Sequence, residues 1–306
     1  MRRASGWQRC CWGFNMNDQA ETLRELMQGR EEDGGAGPAR VWVAGSARGG
    51  IGRSSLLAAL GRLSPRRGLR VLLVDADGGP AAGSERVVSG SASLLDAIAE
   101  VEPGLWCVAG AALTKAGINA ILSRCPLIFD LVLVDGPSGA GEAALALHGG
   151  SWHSLVVMTA EASALADTYG LVKGLRQRAG VSRVAVTVNL VTDGREAVTT
   201  YQKLKNVADR FLGSCVDYAG HWERERDRRE SVMKQKFLLN LESGTASGRS
   251  LELIARRLRE LCGLGGAGAT VADSVQGSPR LMEEPVRKMP GNIAGFWRNL
   301  LGEVKT

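Results

Sequence analysis

The stretch VWVAGSARGGIGRSS, residues 41–55, decides how the rest of the chain is read. An apolar run of strand length leads into a glycine-rich turn, and the turn opens a helical pattern, RSSLLAALGRL (53–63). The same alternation continues downstream. Apolar runs recur at VWVAG (41–45), RVLLVDAD (70–77), LWCVAG (105–110), DLVLVDG (130–136), SLVVMTA (154–160) and RVAVTVNLV (183–191). Helical patterns fall between them at SLLDAIAEV (93–101), GEAALALH (141–148), ALADTYGLVKGLRQRA (164–179) and EAVTTYQKLKNVADRFLG (196–213). A last helix is predicted over SGRSLELIARRLRELCG (247–263), with Ser247 or Ser250 as its cap. Near-continuous apolar strands separated by helices predict an α/β fold, a mostly parallel β-sheet flanked by helices.

The composition fits one large core with short appendages: 306 residues, 44% hydrophobic and 23% charged. No stretch approaches the roughly 20 apolar residues of a membrane span. MRRASGWQRCCWGFN (1–15) has no apolar h-region, so it predicts no secretory signal and reads as a disordered or misassigned start before Met16. The cysteines, at 10, 11, 107, 125, 215 and 262, form no C-x-x-C, which predicts a reduced chain without structural zinc. A net charge of +6 suits an acidic partner but selects none. Residues 30–40 read as a linker, 41–263 as the main domain, and 264–291, rich in Gly, Ala, Ser and Pro, as a flexible tether.

A parallel sheet binds ligands at the carboxyl ends of its strands, and the loop after its first strand is the usual phosphate site. In ARGGIGRSS (47–55), Gly49, Gly50 and Gly52 let backbone N–H groups turn inward around an anion, and the following helix N-terminus adds its dipole. Ser54 stands where a hydroxyl would ligate Mg²⁺. The strict pattern G-x-x-x-x-G-K-[ST] fails at Ala47 and Arg53, so an ordinary glycine turn is the alternative. The other strand ends weigh against it. Asp75 and Asp77 end one run, and Asp135 ends another, where a carboxylate could hold Mg²⁺ through water. Asn189 ends a third, where its amide could read a purine edge. Any one strand-end aspartate is commonly a helix cap, but three beside a glycine loop favour nucleotide binding.

This order of motifs resembles the MinD/ParA family of deviant P-loop ATPases, and within it the flagellar regulators called FlhG, FleN or YlxH. The family's KGGVGKT corresponds to RGGIGRS (48–54), its DxD strand end to Asp75 and Asp77, and its Walker B strand to LVLVDG with Asp135. TAEASALADTYGLVKGL (159–175) is similar to the segment after the fourth core strand in these regulators. DQAETLR (18–24) matches the DQAxxLR motif of the flagellar subgroup, which MinD and ParA proper lack.

The resemblance implies ATP and Mg²⁺ as cofactors, with Gly49, Gly50, Ile51, Gly52, Arg53, Ser54, Ser55 and Asn189 around the nucleotide. It implies Ser54, Asp135 and Asp75 around the metal, and catalytic roles for Arg48, Asp75 and Asp77. It further implies a cycle of ATP binding, homodimerisation, attachment to the inner face of the cell membrane from the cytoplasm, slow hydrolysis and release. Two departures bear on turnover. Both loop lysines of the family are arginines here, Arg48 and Arg53, which keep the charge but put a planar head into a tight cradle. The segment GGPAAGSE (78–85) has Ala82 and Ser84 where the family shows an Asn and an Asp. Binding is therefore expected to outlast efficient hydrolysis.

The resemblance also assigns the ends of the chain. Residues 16–29 read as a helix whose Asp18, Gln19, Ala20, Leu23 and Arg24 would dock on a signal-recognition-type flagellar GTPase, FlhF-like, and stimulate it. Basal-body or transcription regulators are further possible partners. In the C-terminal helix (292–306), Ile293, Phe296, Trp297, Leu300 and Leu301 form one apolar stripe that suits an anionic membrane surface. HWERERDRRESVMKQK (221–236) reads as a solvated helix of mixed charge rather than a nucleic-acid patch. The rival functions are a ParA-type DNA partition ATPase and a catalytically impaired P-loop scaffold.

Overall fold

The structure, a computed structural model, describes residues 40–65, 68–76, 98–109, 129–149, 153–223 and 245–264. The segments 1–15 and 16–29, the linker before residue 40, the tether beyond 264, the helix at 292–306, Asp77, GGPAAGSE and most of the 221–236 charge run lie outside them.

Eight strands form a single sheet: β1 (Arg40–Ser46), β2 (Val71–Asp75), β3 (Ile98–Glu102), β4 (Leu105–Ala109), β5 (Leu131–Asp135), β6 (His153–Thr159), β7 (Val184–Val191) and β8 (Val216–Glu223). Their order is β3-β4-β2-β5-β1-β6-β7-β8, and every pair except β3 with β4 is parallel. The helices are α1 (Arg53–Leu63), α2 (Glu142–His148), α3 (Ala162–Gln177), α4 (Gly194–Leu212) and α5 (Ala246–Arg259), the last continued by a π turn, Glu260–Leu264.

Each strand is apolar on both faces because both faces are covered. On one face Trp42, Ala44, Leu73, Leu133, Leu155 and Val157 pack with Leu56, Leu57 and Leu60 of α1 and Leu251, Ile254 and Leu258 of α5. On the other, Val156, Met158, Val186 and Val188 meet Leu145 of α2, Leu171 and Leu175 of α3, and Tyr201 and Leu204 of α4. Each buried Leu, Ile, Val or Met among them contributes about 1.5–3 kcal/mol by leaving water. No helix among the described residues is long and apolar enough to cross a membrane.

Three local expectations are corrected. The helical pattern at 93–101 ends in a strand: Ile98–Glu102 pairs antiparallel with β4. The cause is the turn at Pro103 and Gly104, where Gly104 takes φ +80° and its N–H donates to Glu100 Oε1 at 3.1 Å. β8 was not foreseen, and it claims the first residues of the charge run, 221–223. Its register slips opposite Val186 and Thr187, and Gly220 takes φ +128°. A Cβ on Gly220 would lie 2.7 Å from Ile254 Cγ1, so the glycine lets α5 pack onto the strand. The α5 cap is Thr245, whose side chain accepts from Gly248 N, whereas Ser247 accepts from Trp222 Nε1.

Candidate functional site

β1 lies between β5 and β6, so the glycine loop leaves the middle of the sheet with the ends of β5 and β7 close by. Ala44 is in register with Asp135, and Asp135 with Asp75. The loop can turn because Gly50 and Gly52 adopt φ +73° and +82°. Gly52 is also the N-cap of α1; no side chain caps that N-terminus, and its first turn carries no acidic residue. The helix end thus presents backbone N–H groups and a positive dipole at the strand ends.

Arg53, the first residue of α1, turns back beneath the loop. Its Nε donates to Asp135 Oδ1, and its Nη1 donates to Ser46 Oγ at 3.0 Å and to Ser138 Oγ at 3.1 Å. The Arg53 and Asp135 side chains are 5% and 3% exposed. Burial pushes the Asp135 carboxyl above the ordinary aspartate value; the Arg53 charge and hydrogen bonds from Ser54 and Arg53 pull it back, while Asp75 pushes it up again. The Ser46 hydroxyl in turn donates to Arg48 O at 2.8 Å, and Gly139 N donates to Ser46 O at 2.7 Å. The head of Arg53 therefore ties together β1, β5 and the segment that follows β5.

Arg48 projects outward. Its guanidinium reaches Asp167 and, at 3.0 Å, Ser163 Oγ, both on α3. Arg48 and Asp167 are 46% and 42% exposed, so this pair is screened and weak. Asn189 is buried and braces the loop: its Nδ2 donates to Ile51 O at 2.8 Å, and its Oδ1 accepts from Leu190 N at 2.9 Å. A Cβ on Gly52 would stand 2.6 Å from that Nδ2. Leu190, which follows Asn189, takes φ 58°, the one positive value at a non-glycine position among the described residues.

The structure thus brings together Gly49, Gly50, Ile51, Gly52, Arg53, Ser54, Asp75, Asp135 and Asn189 at one sheet edge, with Arg48 at its rim. Ser55 follows in the first turn of α1, and Asp77 lies beyond the described residues. Five participants went unmarked in the sequence. Ser46 and Ser138 hold Arg53, and Asp167 and Ser163 hold Arg48. His148 lies against β1: its Nδ1 is 3.0 Å from Ser154 Oγ, and a Cβ on Gly45 would be 2.6 Å from its Nε2. Burial, followed by the Arg53 charge, pushes the His148 pKa down to about 4. Serine before a glycine loop, or after an aspartate-glycine strand end, is too common a pairing to mark these roles.

A divalent cation at this site would draw on Ser54, Asp135 and Asp75. The Ser54 hydroxyl, which donates to Asp135, keeps its oxygen lone pairs for a metal, whereas a cation at Asp135 would share that carboxylate with the Arg53 guanidinium. Among the described residues no group of three or more His, Cys, Asp or Glu forms a metal cluster.

No family model matches the chain. In sequence it is similar to the antiactivator FleN of Pseudomonas aeruginosa, 24% identical over 242 residues that cover 72% of this chain and 86% of FleN. It is also similar to the flagellum site-determining protein YlxH of Helicobacter pylori, 26% identical over 269 residues, 78% of this chain and 90% of YlxH. Among solved structures, the cell division protein MinD of Aquifex aeolicus superposes with a TM-score of 0.56 at 21% identity, covering 72% of this chain and 97% of MinD. MinD of Pyrococcus horikoshii, complexed with Mg-ADP, gives 0.53 at 19% identity over 74% and 98% of the two chains. A Cyanothece McdA–ATP complex gives 0.56 at 13% identity over 76% and 100%. The chain has the MinD/ParA-type P-loop fold, and its sequence is similar to those of the flagellar regulators FleN and YlxH.

Proposed function

We propose that this chain is an ATP-binding regulator of flagellar number or placement. One observation carries the nucleotide half of the reading: an uncapped helix N-terminus and a two-glycine left-handed loop face Asp75 and Asp135 across adjacent strand ends. The flagellar half rests on the similarity to FleN and YlxH over most of each chain. Calorimetry with ATP tests the first half; millimolar ATP that gives no heat refutes it. A second reading, a P-loop scaffold that docks partners without nucleotide, draws support from the Arg53–Asp135 pair, and the same titration decides between them.

The finer steps extend this proposal. ATP draws two copies into a dimer, the 292–306 helix takes the dimer to an anionic membrane, and hydrolysis is slow because arginines stand at 48 and 53. Two weakly binding helices act together only in the dimer, so vesicle binding by the full chain should require ATP; equal binding after deletion of 292–306 refutes the membrane step. Residues 18–24 act on a signal-recognition-type GTPase, Gln19 helping to order the attacking water. A peptide of residues 16–29 that leaves that enzyme's GTP hydrolysis unchanged refutes the last step.

A further inference from the structure

The glycine loop leaves the carboxyl ends of the strands. At the opposite end of the sheet, an apolar cleft of about 40 Å³ opens between the last turns of α1 and α5. Trp42, Leu60, Leu69, Leu131, Ala255 and Leu258 line it, and the Ser64 hydroxyl in its wall donates to Leu60 O at 2.8 Å. Leu69, Leu131, Ala255, Leu261 and Cys262 pack on this core yet stay half-buried, and Cys262 accepts a hydrogen bond from Trp42. A cleft this small and apolar holds water poorly and has room for one aliphatic side chain, with the half-buried rim left to seat its neighbours. We propose that the 16–29 segment packs on this cleft as a helix of the same chain, with Leu23, Leu26 and Met27 facing it.

Position, reach and charge select that occupant. The chain enters the sheet at Arg40, in register with Leu131 of the cleft wall, so the preceding residues start from its mouth. The linker 30–39 extends to at most about 35 Å, enough to bring residue 29 back to the cleft. Residues 16–33 carry Asp18, Glu21, Glu25, Glu31, Glu32 and Asp33 against Arg24 and Arg30. The last turn of α5 carries Arg256, Arg257 and Arg259; the first two share Glu260, and Arg259 lines the cleft. An acidic segment therefore meets a basic rim, which sets orientation as well as partner. The chain beyond Leu264 leaves from the same end, but its 292–306 stripe brings Arg298 and Lys305 against Glu303 and lacks that match. The docking does not depend on the GTPase step proposed above. It covers the stripe which that step uses, so the two contacts exclude one another.

Cys262, half-buried at the rim, reports whether the cleft is covered. The test alkylates the full native chain with a maleimide and follows each cysteine peptide by mass spectrometry. Leu23→Asp combined with Met27→Asp places charge in the docking stripe and should speed the Cys262 reaction about tenfold, the scale of a modest docking equilibrium. Cys107 and Cys215, buried elsewhere, should stay slow in both proteins and show that the core remains folded. An unchanged Cys262 rate in the double variant overturns the proposal. It is also overturned if Phe296→Asp with Trp297→Asp unmasks Cys262 in its place, which gives the cleft to the 292–306 helix. Protection of the natural sequence that disappears on dilution assigns the cleft to a second copy and overturns the proposal too. No GTPase enters the experiment, so its outcome is separate from that of the GTPase step.

Discussion

Removing the Arg53 head while keeping its bulk, as in Arg53→Met, isolates the energetic consequence of burying an ion pair beneath the loop. The substitution leaves Asp135, 3% exposed, without the cation that compensates it. Breaking a buried pair from one side costs about 3–5 kcal/mol, because an uncompensated charge is left behind. In a domain of this size each kcal/mol lowers Tm by about 2–4 °C, so the expected fall is about 6–20 °C at pH 8. The deficit must also depend on pH. Burial already raises the Asp135 carboxyl above its unfolded value, and without Arg53 it rises further. The folded state then binds a proton that the unfolded state releases, so the deficit shrinks as the pH falls toward the raised folded value. Losing Arg53 also relieves His148, whose pKa the arginine charge helps to depress, and this acts in the same direction. Repeating the comparison in an Asp135→Asn background separates the two and should recover much of the loss. Chemical denaturation of the nucleotide-free protein across this pH range is the assay. A loss under about 1 kcal/mol at pH 8, or one that does not shrink in acid, refutes the reasoning.

Other expectations follow from the same geometry. His148 stays neutral down to about 4 in the fold, against an ordinary value of 6.5, so the unfolded chain takes up its proton first. Stability should therefore fall by about 3 kcal/mol as the pH drops through that window, and His148→Gln should flatten the slope in acid denaturation curves. Gly52→Ala puts a Cβ 2.6 Å from Asn189 Nδ2 at φ +82°; it should cost about 1–3 kcal/mol in denaturant melts and weaken any nucleotide binding. Thr245→Ala removes the α5 cap and should cost about 1 kcal/mol in the same assay, with no change in nucleotide affinity.

How far the sequence reveals this molecule depends on the range of the interactions that decide each part. Strands buried on both faces leave uninterrupted apolar runs, so β1, β2, β4, β5, β6 and β7 were legible from the apolar pattern alone. β3 was not, because IAEV continues a helical spacing and only the turn at Pro103 and Gly104, outside the pattern, folds it back onto β4. β8 was obscured for a related reason. Its half-buried, bulged sequence VDYAGHWE alternates imperfectly and runs straight into a charge cluster. The glycine loop and its strand-end carboxylates were visible because backbone conformation and strand termination are local demands.

The partners of the two arginines were not visible, since Arg53 and Asp135 are 82 residues apart and Arg48 and Asp167 are 119 apart. Sequence comparison alone treats each arginine as a lysine with an altered head, still directed at phosphate. The fold supplies what that comparison lacks, namely a carboxylate within reach of each guanidinium. A longer, forked side chain at position 53 can span from the start of α1 to Ser46, Asp135 and Ser138 at once, which one ammonium on a shorter stem would strain to do. The substitution is therefore better understood as a change in what neutralises Asp135 than as a damaged phosphate grip. On that view Arg53 and Asp135 should couple strongly in a double-mutant cycle on stability, whereas Arg48, exposed at the rim, should not couple to Asp135.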